Sequence, residues 1–306
     1  MEEPNILIRK VYAESLDSEF ILIRQLLPRY RFVSMDTEFP GVIHHVNPTK
    51  PHQHHHLKPY EHYGLLKRNV DDLKLIQVGL TLADAFGNLP VLDGFRCIWE
   101  FNFCDFDVTR DDHAPDSIAL LREQGIGFEQ NKERGADSSR FARLMMWSGM
   151  INNPLVTWVT FHGGYDIAYL VKILTQRKLP ENLDGFLEHV RMLFGERLYD
   201  VKYMIRFCDS LYGGLERVAK ALSVDRVAGK CHQASSDSLL TWHVFEKIAS
   251  LVKGGHRKYA GVLFGLEPEV RPPPRFVGYA DYRLCPRRNF NYVVNWHGQI
   301  IGQVLS

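Results

Sequence analysis

The sequence predicts an α/β protein built on a mixed sheet, three antiparallel strands followed by parallel ones, with helices flanking it. Three observations carry that expectation. Residues 31–39 alternate with period two; LKLIQVGLTL (73–82) and CIWEFNF (97–103) follow as two more strands joined by the turn-rich ADAFGNLP, the spacing of antiparallel neighbours. From residue 116 onward, short apolar strands alternate with helical segments, the pattern of an α/β half.

Taken in order, residues 5–27 place Ile8, Val11, Tyr12, Leu16, Phe20, Ile23 and Leu27 at mixed spacings of three and four. This predicts one long helix or two short ones, closed by Pro28. In the strand 31–39, Val33, Met35, Thr37 and Phe39 take one face; Phe32, Ser34, Asp36 and Glu38 take the other. Between the first two strands, seven of the fourteen histidines fall between His44 and His62, and Pro48, Pro51 and Pro59 predict a loop over 44–62. SIALLREQGI and SSRFARLMMWSGM read as helices capped at Asp116 or Ser117 and at Ser138. VTWVTF (156–161) is a buried strand that leaves through Gly163 and Gly164 into the helix YDIAYLVKIL. A helix over 183–193, a strand over YDVKYM (199–204) and helices near 215–222 and 236–252 complete the set. After Leu266 the chain turns rich in Pro and Arg, so residues 1–266 read as one domain and 267–306 as a tail, whose last stretch is open to two readings, a weak hairpin about His297 and Gly298 or a loosely attached end.

Composition narrows the class. Of 306 residues, 45% are hydrophobic, and 37 basic side chains face 36 acidic ones, which excludes collagen, coiled coil and wholesale disorder. A net charge of +1 gives no global pull toward a polyanion, so any nucleic acid would be gripped by a local site. No apolar run approaches the roughly 20 residues of a membrane span, and the chain opens on acids, so the protein is expected to be neither secreted nor membrane-bound. Five widely spaced cysteines without a C-x-x-C motif argue against a disulfide framework and a zinc ribbon and fit a reducing cytosol or nucleus, so the protein is expected in cytoplasm and nucleus.

The chemistry lies in the acids. Asp36 and Glu38 share one strand face, an arrangement that suits a divalent cation but also an ordinary solvated sheet face. Asp166 follows a buried strand and two glycines, at the sheet edge where ligands collect in open α/β folds, and would equally serve as a helix cap. Asp237 lies in the first turn of a late helix, preceded five residues back by His232. Four carboxylates converging without basic partners would repel one another unless they held metal. Two Mg²⁺ or Mn²⁺ ions about 4 Å apart can stabilise both oxygens of an in-line phosphoryl displacement, and a neutral histidine can take the proton of the attacking water.

SMDTEFPGV, LKLIQVGLTL, WEFNF, FHGGYD, YDVKYM and KCHQASSDSLLTW, in this order and spacing, closely resemble the Caf-type poly(A) deadenylases of the DEDDh exonuclease group, catalytic subunits of the CCR-NOT complex. The resemblance runs from about Pro4 to Leu266. It implies a ribonuclease H-like fold, two divalent metals, and 3′-to-5′ removal of adenosines from messenger RNA as 5′-AMP. It also implies docking on a Not-type scaffold beside a second deadenylase. Asp36, Glu38, Asp166 and Asp237 fall on its four acids and His232 on its histidine. Phe39, Lys202 and Lys230 are candidate RNA contacts, with core packing or solvation as the alternative for each. Gly163 stands where the family pattern has serine, and Ile167-Ala168 replace phenylalanine-glycine. A Gly-Gly turn is permissive, so Asp166 is expected to be less firmly placed, which keeps a weakly active scaffold or RNA-binding subunit as the alternative. The histidine tract could bind Zn²⁺, Ni²⁺ or Cu²⁺, or be a polar insertion.

Overall fold

The structure, a computed structural model, describes residues 5–46, 57–252, 255–267, 291–294 and 300–304. The chain divides into two units, Met1–Glu269 and Val270–Ser306. In the second, β8 (Asn291–Val294) pairs antiparallel with β9 (Ile300–Val304), the hairpin of the two readings; its turn about His297 and Gly298 lies outside the described residues.

The first unit begins with β1 (Ile6–Val11), α1 (Leu16–Leu26), β2 (Phe32–Glu38), α2 (Pro59–Asp72), β3 (Gln77–Ala83), β4 (Val91–Leu92) and β5 (Phe95–Asn102). There follow α3 (Pro115–Glu123), α4 (Phe128–Arg134), α5 (Ser138–Trp147), β6 (Thr157–Thr160), α6 (Gly164–Thr175), α7 (Leu183–Phe194), β7 (Leu198–Asp200), α8 (Val201–Met204), α9 (Leu215–Ala221) and α10 (Ala234–Leu251). The sheet runs β1-β5-β3-β2-β6-β7, with β4 beside β5. β3 runs antiparallel to both of its neighbours, β5 and β2, and β6 and β7 continue parallel from β2, as the strand spacing predicts.

Period-two alternation sorts the sheet's side chains between two cores. Val33, Met35, Leu80, Trp99 and Phe101 pack with Phe20, Phe141 and Ile167 from α1, α5 and α6. On the other face Ile98 and Val159 meet Leu240, Trp242 and Phe245 of α10, and the Phe32 ring lies 5.2 Å from that of Trp242. Ser34, Asp36 and Glu38 share the face of Phe32, so the alternation of β2 aims both acids toward α10.

Four local expectations are corrected. Residues 6–11 are a strand parallel to β5: Ile6, Ile8 and Lys10 alternate with Leu7, Arg9 and Val11, and the apparent helical spacing came from joining this strand to α1 across a turn. The loop over 44–62 ends at Lys58, because Pro59 opens α2, where its missing N–H is one of the unpaired donors of a first turn and its fixed φ suits a helix. Residues 47–56, with His52–His56, lie outside the described residues. YDVKYM is a strand only to Asp200, whose carboxylate accepts the Lys202 N–H at 2.9 Å and starts α8. Asp137 rather than Ser138 caps α5, accepting the Arg140 N–H at 2.8 Å, while Ser138 donates to Asp105; α3 is preceded by Ala114, so Asp116 and Ser117 lie inside its first turn. Among the described residues no helix is long and apolar enough to cross a membrane, and Cys97, Cys104, Cys208 and Cys231 are free thiols.

Candidate active site

The site forms where the N-terminus of α10 lies directly on the sheet. Gly79 of β3 sits opposite Asp36 on one side and Glu100 on the other. A Cβ on Gly79 would lie 2.0 Å from the carbonyl carbon and oxygen of Ala234 and 2.3 Å from the Ser235 nitrogen. Only glycine therefore lets the helix backbone approach this closely. Small residues complete the seat: Ala234, Ser235 and Ser238 are fully buried. Ser235 Oγ donates to Glu100 Oε2 at 2.9 Å, and the Ser238 and Thr81 hydroxyls are 2.8 Å apart.

This seating carries Asp237 to the acids of β2. One oxygen each from Asp36, Glu38 and Asp237 lies within 4.8 Å of the other two. Asp166, in the first turn of α6, stands beside this group with Oδ1 turned toward Thr37, accepting its backbone N–H at 3.0 Å and its hydroxyl at 2.5 Å. Asp237 is itself held at both oxygens, by Arg226 Nη2 at 2.5 Å and by the His232 backbone N–H at 2.9 Å. Arg226 continues to Glu216 and Ser236. His232 is exposed, adopts φ +57°, and offers a ring nitrogen within 4.8 Å of Asp237.

Electrostatics mark the cluster. Burial, then the neighbouring carboxylates, push Asp36 and Glu38 well above the ordinary carboxylate range. Burial raises Asp166 to about 7 against the opposing hydrogen bonds from Thr37. Asp237 is raised by burial and partly brought back by Arg226. A pocket of crowded carboxylate oxygens, with the guanidinium of Arg226 at one corner, is undercompensated in charge, and such a donor set fits hard divalent cations.

The turn before Asp166 is tied down by hydrogen bonds at His162 and Gly163. Gly163 has an ordinary φ of −76°. A Cβ there would sit 2.3 Å from Thr160 Oγ1 and 2.4 Å from Thr160 Cβ, so the Thr160 side chain occupies the space that a side chain at this position would need. The Gly163 amide and that of His162 both donate to the fully buried Asp200, at 3.2 and 2.8 Å. The same carboxylate accepts from Lys202 and, at 2.9 Å, from Phe264. Burial raises Asp200 to about 6 despite these four donors. His162, in turn, is lowered by burial to about 4 and stands edge-on to the Phe264 ring.

The three candidate RNA contacts separate. Phe39 stacks on Tyr165 at 5.2 Å and leans on Tyr169, packing against the core. Lys202 is half-buried, donates to the Gly213 carbonyl and lies over Phe161 and Phe264. Lys230 is exposed on the loop that carries His232. Thr37, Gly79, Asp200 and Arg226 were not singled out from sequence. Thr37 and Gly79 lay within recognisable motifs, whereas no sequence pattern marks Arg226.

An open α/β sheet that gathers carboxylates from its central strand and two flanking helices, with a histidine beside the last, is the frame of a metal-dependent nuclease. A CAF1 family ribonuclease model matches residues 11–137. A probable CCR4-associated factor 1 homolog of Arabidopsis thaliana is 48% identical over 272 residues, covering 88% of this chain and 96% of the relative. The poly(A) ribonuclease pop2 of Schizosaccharomyces pombe is 42% identical over 243 residues, 79% of this chain and 69% of the relative. The chain belongs to the CAF1 ribonuclease family. Among solved structures, S. pombe Pop2p in its Mg²⁺- and Mn²⁺-bound form superposes with a TM-score of 0.77 at 41% identity, covering 85% of this chain and 99% of that one. Yeast CAF1 co-crystallized with the NOT1 MIF4G domain gives 0.69 at 32%, covering 84% and 96%.

Proposed function

We propose that this chain is a metal-dependent 3′-to-5′ exoribonuclease that shortens poly(A) tails of messenger RNA and releases 5′-AMP. The observation that carries the reading is the oxygen cluster of Asp36, Glu38 and Asp237, its members within 4.8 Å of one another, with Asp166 alongside and His232 sharing Asp237. Asp36, Glu38, Asp166 and Asp237 would hold two divalent cations, Mg²⁺ or Mn²⁺. When bound, these supply charge stabilisation to the attacking and leaving oxygens of the scissile phosphate.

The chain's own residues do the remaining work. Thr37 fixes the Asp166 carboxylate, Asp200 fixes the turn that delivers it, and Gly79 sets the depth of α10. His232 is the general base, its exposed imidazole taking a proton from the attacking water at a ring nitrogen. Lys230, on the same loop, is placed to meet RNA phosphate, while Phe39 and Lys202 support the site from within. Asp200 clamps the Gly163 turn, which supports the active enzyme over the weakly active scaffold or RNA-binding subunit. Partners are a Not-type scaffold and a second deadenylase of the CCR-NOT complex, and the location is cytoplasm and nucleus.

The test is incubation of purified protein with Mg²⁺ and a 3′-adenosine-tailed RNA. Stepwise shortening with release of 5′-AMP, and resistance of a 3′-blocked RNA, are expected. Cleavage of circular RNA, or no shortening at any metal concentration, would overturn the reading.

A further inference from the structure

Asp237 belongs to two groups of side chains. On one side are the oxygens of Asp36 and Glu38; on the other are Cys231 Sγ and a ring nitrogen of His232, again with all three ligand atoms within 4.8 Å of one another. We propose that Cys231, His232 and Asp237 form a second site, selective for a thiophilic divalent cation of the Zn²⁺ class, whose occupation switches the enzyme off.

The chemistry of the donors separates the two sets. Mg²⁺ seeks an all-oxygen shell and sheds water reluctantly, whereas thiolate and imidazole select Zn²⁺. Zinc holds sulfur at about 2.3 Å and nitrogen or oxygen at about 2.0–2.2 Å, so the ligands of one tetrahedral ion stand roughly 3.3–3.7 Å apart. The three ligand atoms, within 4.8 Å of one another, exceed that spacing by no more than about 1.5 Å, and a water would complete the fourth position.

The surrounding backbone is built to keep them there. Gly229, at φ +67°, brings the loop back against α10, where a Cβ would lie 2.8 Å from Ser236 Cβ. Gln233 ties the loop at both ends of its amide, accepting the Lys230 N–H at 3.0 Å and donating to the Gln124 carbonyl at 2.7 Å. Arg226 bonds the Lys230 carbonyl at 3.3 Å and Asp237 itself. Cys231 is half-buried and His232 exposed, so the site opens to solvent at its imidazole. The positive charge of Arg226 opposes any cation on Asp237, hard or soft, so it lowers affinity for both without changing the preference between them.

Occupation has a definite consequence, which rests on the deadenylase reading. An ion on the soft set takes the lone pair that His232 would use as base and draws Asp237 away from Asp36 and Glu38. Cys231 contributes to this site and not to the oxygen cluster, so it distinguishes the two.

The experiment uses the full chain, stripped of metal and titrated with Co²⁺ as spectroscopic probe. A near-ultraviolet thiolate-to-cobalt charge-transfer band should grow to one equivalent, bleach on adding Zn²⁺, and be absent from Cys231→Ser and Cys231→Ala. In the same preparations Mg²⁺-supported deadenylation should be equal for wild type and both variants, while half-inhibition by Zn²⁺ should need at least tenfold more zinc in the variants. A missing band, a band that persists without Cys231, or an unchanged zinc inhibition curve would each overturn the proposal by placing zinc elsewhere. The absorption measurement does not need activity, so loss of the soft site and loss of the deadenylase reading would be told apart.

Discussion

Replacing Gly79 with alanine places a methyl group where the backbone of α10 now lies. The new Cβ would be 2.0 Å from the carbonyl atoms of Ala234 and 2.3 Å from the Ser235 nitrogen. Ordinary contact between such atoms is about 3.5–4.0 Å, so the helix start must retreat by about 1.5 Å. Backbone atoms cannot swing aside as a side-chain end would, and overfilling of this kind costs about 1–3 kcal/mol of stability. Asp237 stands two and three residues beyond the colliding atoms on the same helix, so its carboxylate recedes from Asp36 and Glu38 by a similar amount. A misplacement of about 1 Å in a catalytic arrangement can reduce rate by about 10²-fold. The assay is the initial rate of 5′-AMP release from adenosine-tailed RNA at saturating Mg²⁺, with melting temperature followed in parallel. Gly64→Ala is the control: it lies in α2 with no atom within 4 Å of its added Cβ, and should keep full activity and gain about 0.5–1 kcal/mol from helix preference. If Gly79→Ala retained activity within about tenfold of wild type, a barrier change of only about 1.4 kcal/mol, the close approach of α10 would not be what assembles the site.

Other expectations concern the acids, the histidine and the chain end. Because burial lifts Asp166 to about 7, the metal-free folded chain binds more protons than the unfolded one between the ordinary carboxylate value and that point. Its stability should therefore fall as pH rises across this window, with the other raised acids, Asp36, Glu38, Asp237 and Asp200, adding to the slope; Asp166→Asn should lessen that slope in denaturant titrations while removing activity by orders of magnitude, and an unchanged slope would refute the cause given. His232→Ala should lower turnover by about 10²–10⁴-fold with melting temperature unchanged, and near-normal turnover with an unaltered pH–rate profile would reassign the residue to structure. Ending the chain after Glu267 should preserve the cooperative melt and most activity, since Phe264 and the ion pair of Glu267 with Arg206 are retained; a lost melt would place the tail within the folding unit.

Much of the frame was readable because it rests on periodicity. The alternation of β2 assigned Asp36 and Glu38 to one face, and the face of Phe32 proves to be the one that α10 covers. The strand-glycine-helix unit around Asp166 was equally plain. Periodicity failed where a boundary fell inside a run: the β1 residues followed closely by α1 imitate helical spacing, and a proline that opens a helix looks like one that forbids it. Side chains that act across long sequence separations left no local mark. Thr37 binds Asp166 across 129 residues and Gly79 matters only through a helix more than 150 residues later, so neither role could be assigned before the fold was in hand.

Asp200 makes the fold close on itself. The amides of His162 and Gly163 at the entrance of α6, of Lys202 in α8 and of Phe264 near the end of the first unit all converge on one carboxylate. None of these segments can peel away alone without leaving buried partners unmet, at about 1–3 kcal/mol for each group stranded. Fraying at the far end of the unit is thereby charged to the turn that delivers Asp166. In hydrogen exchange the four amides should open together, with a single free energy and a single denaturant dependence, as members of one cooperative block rather than as a loose end and a core.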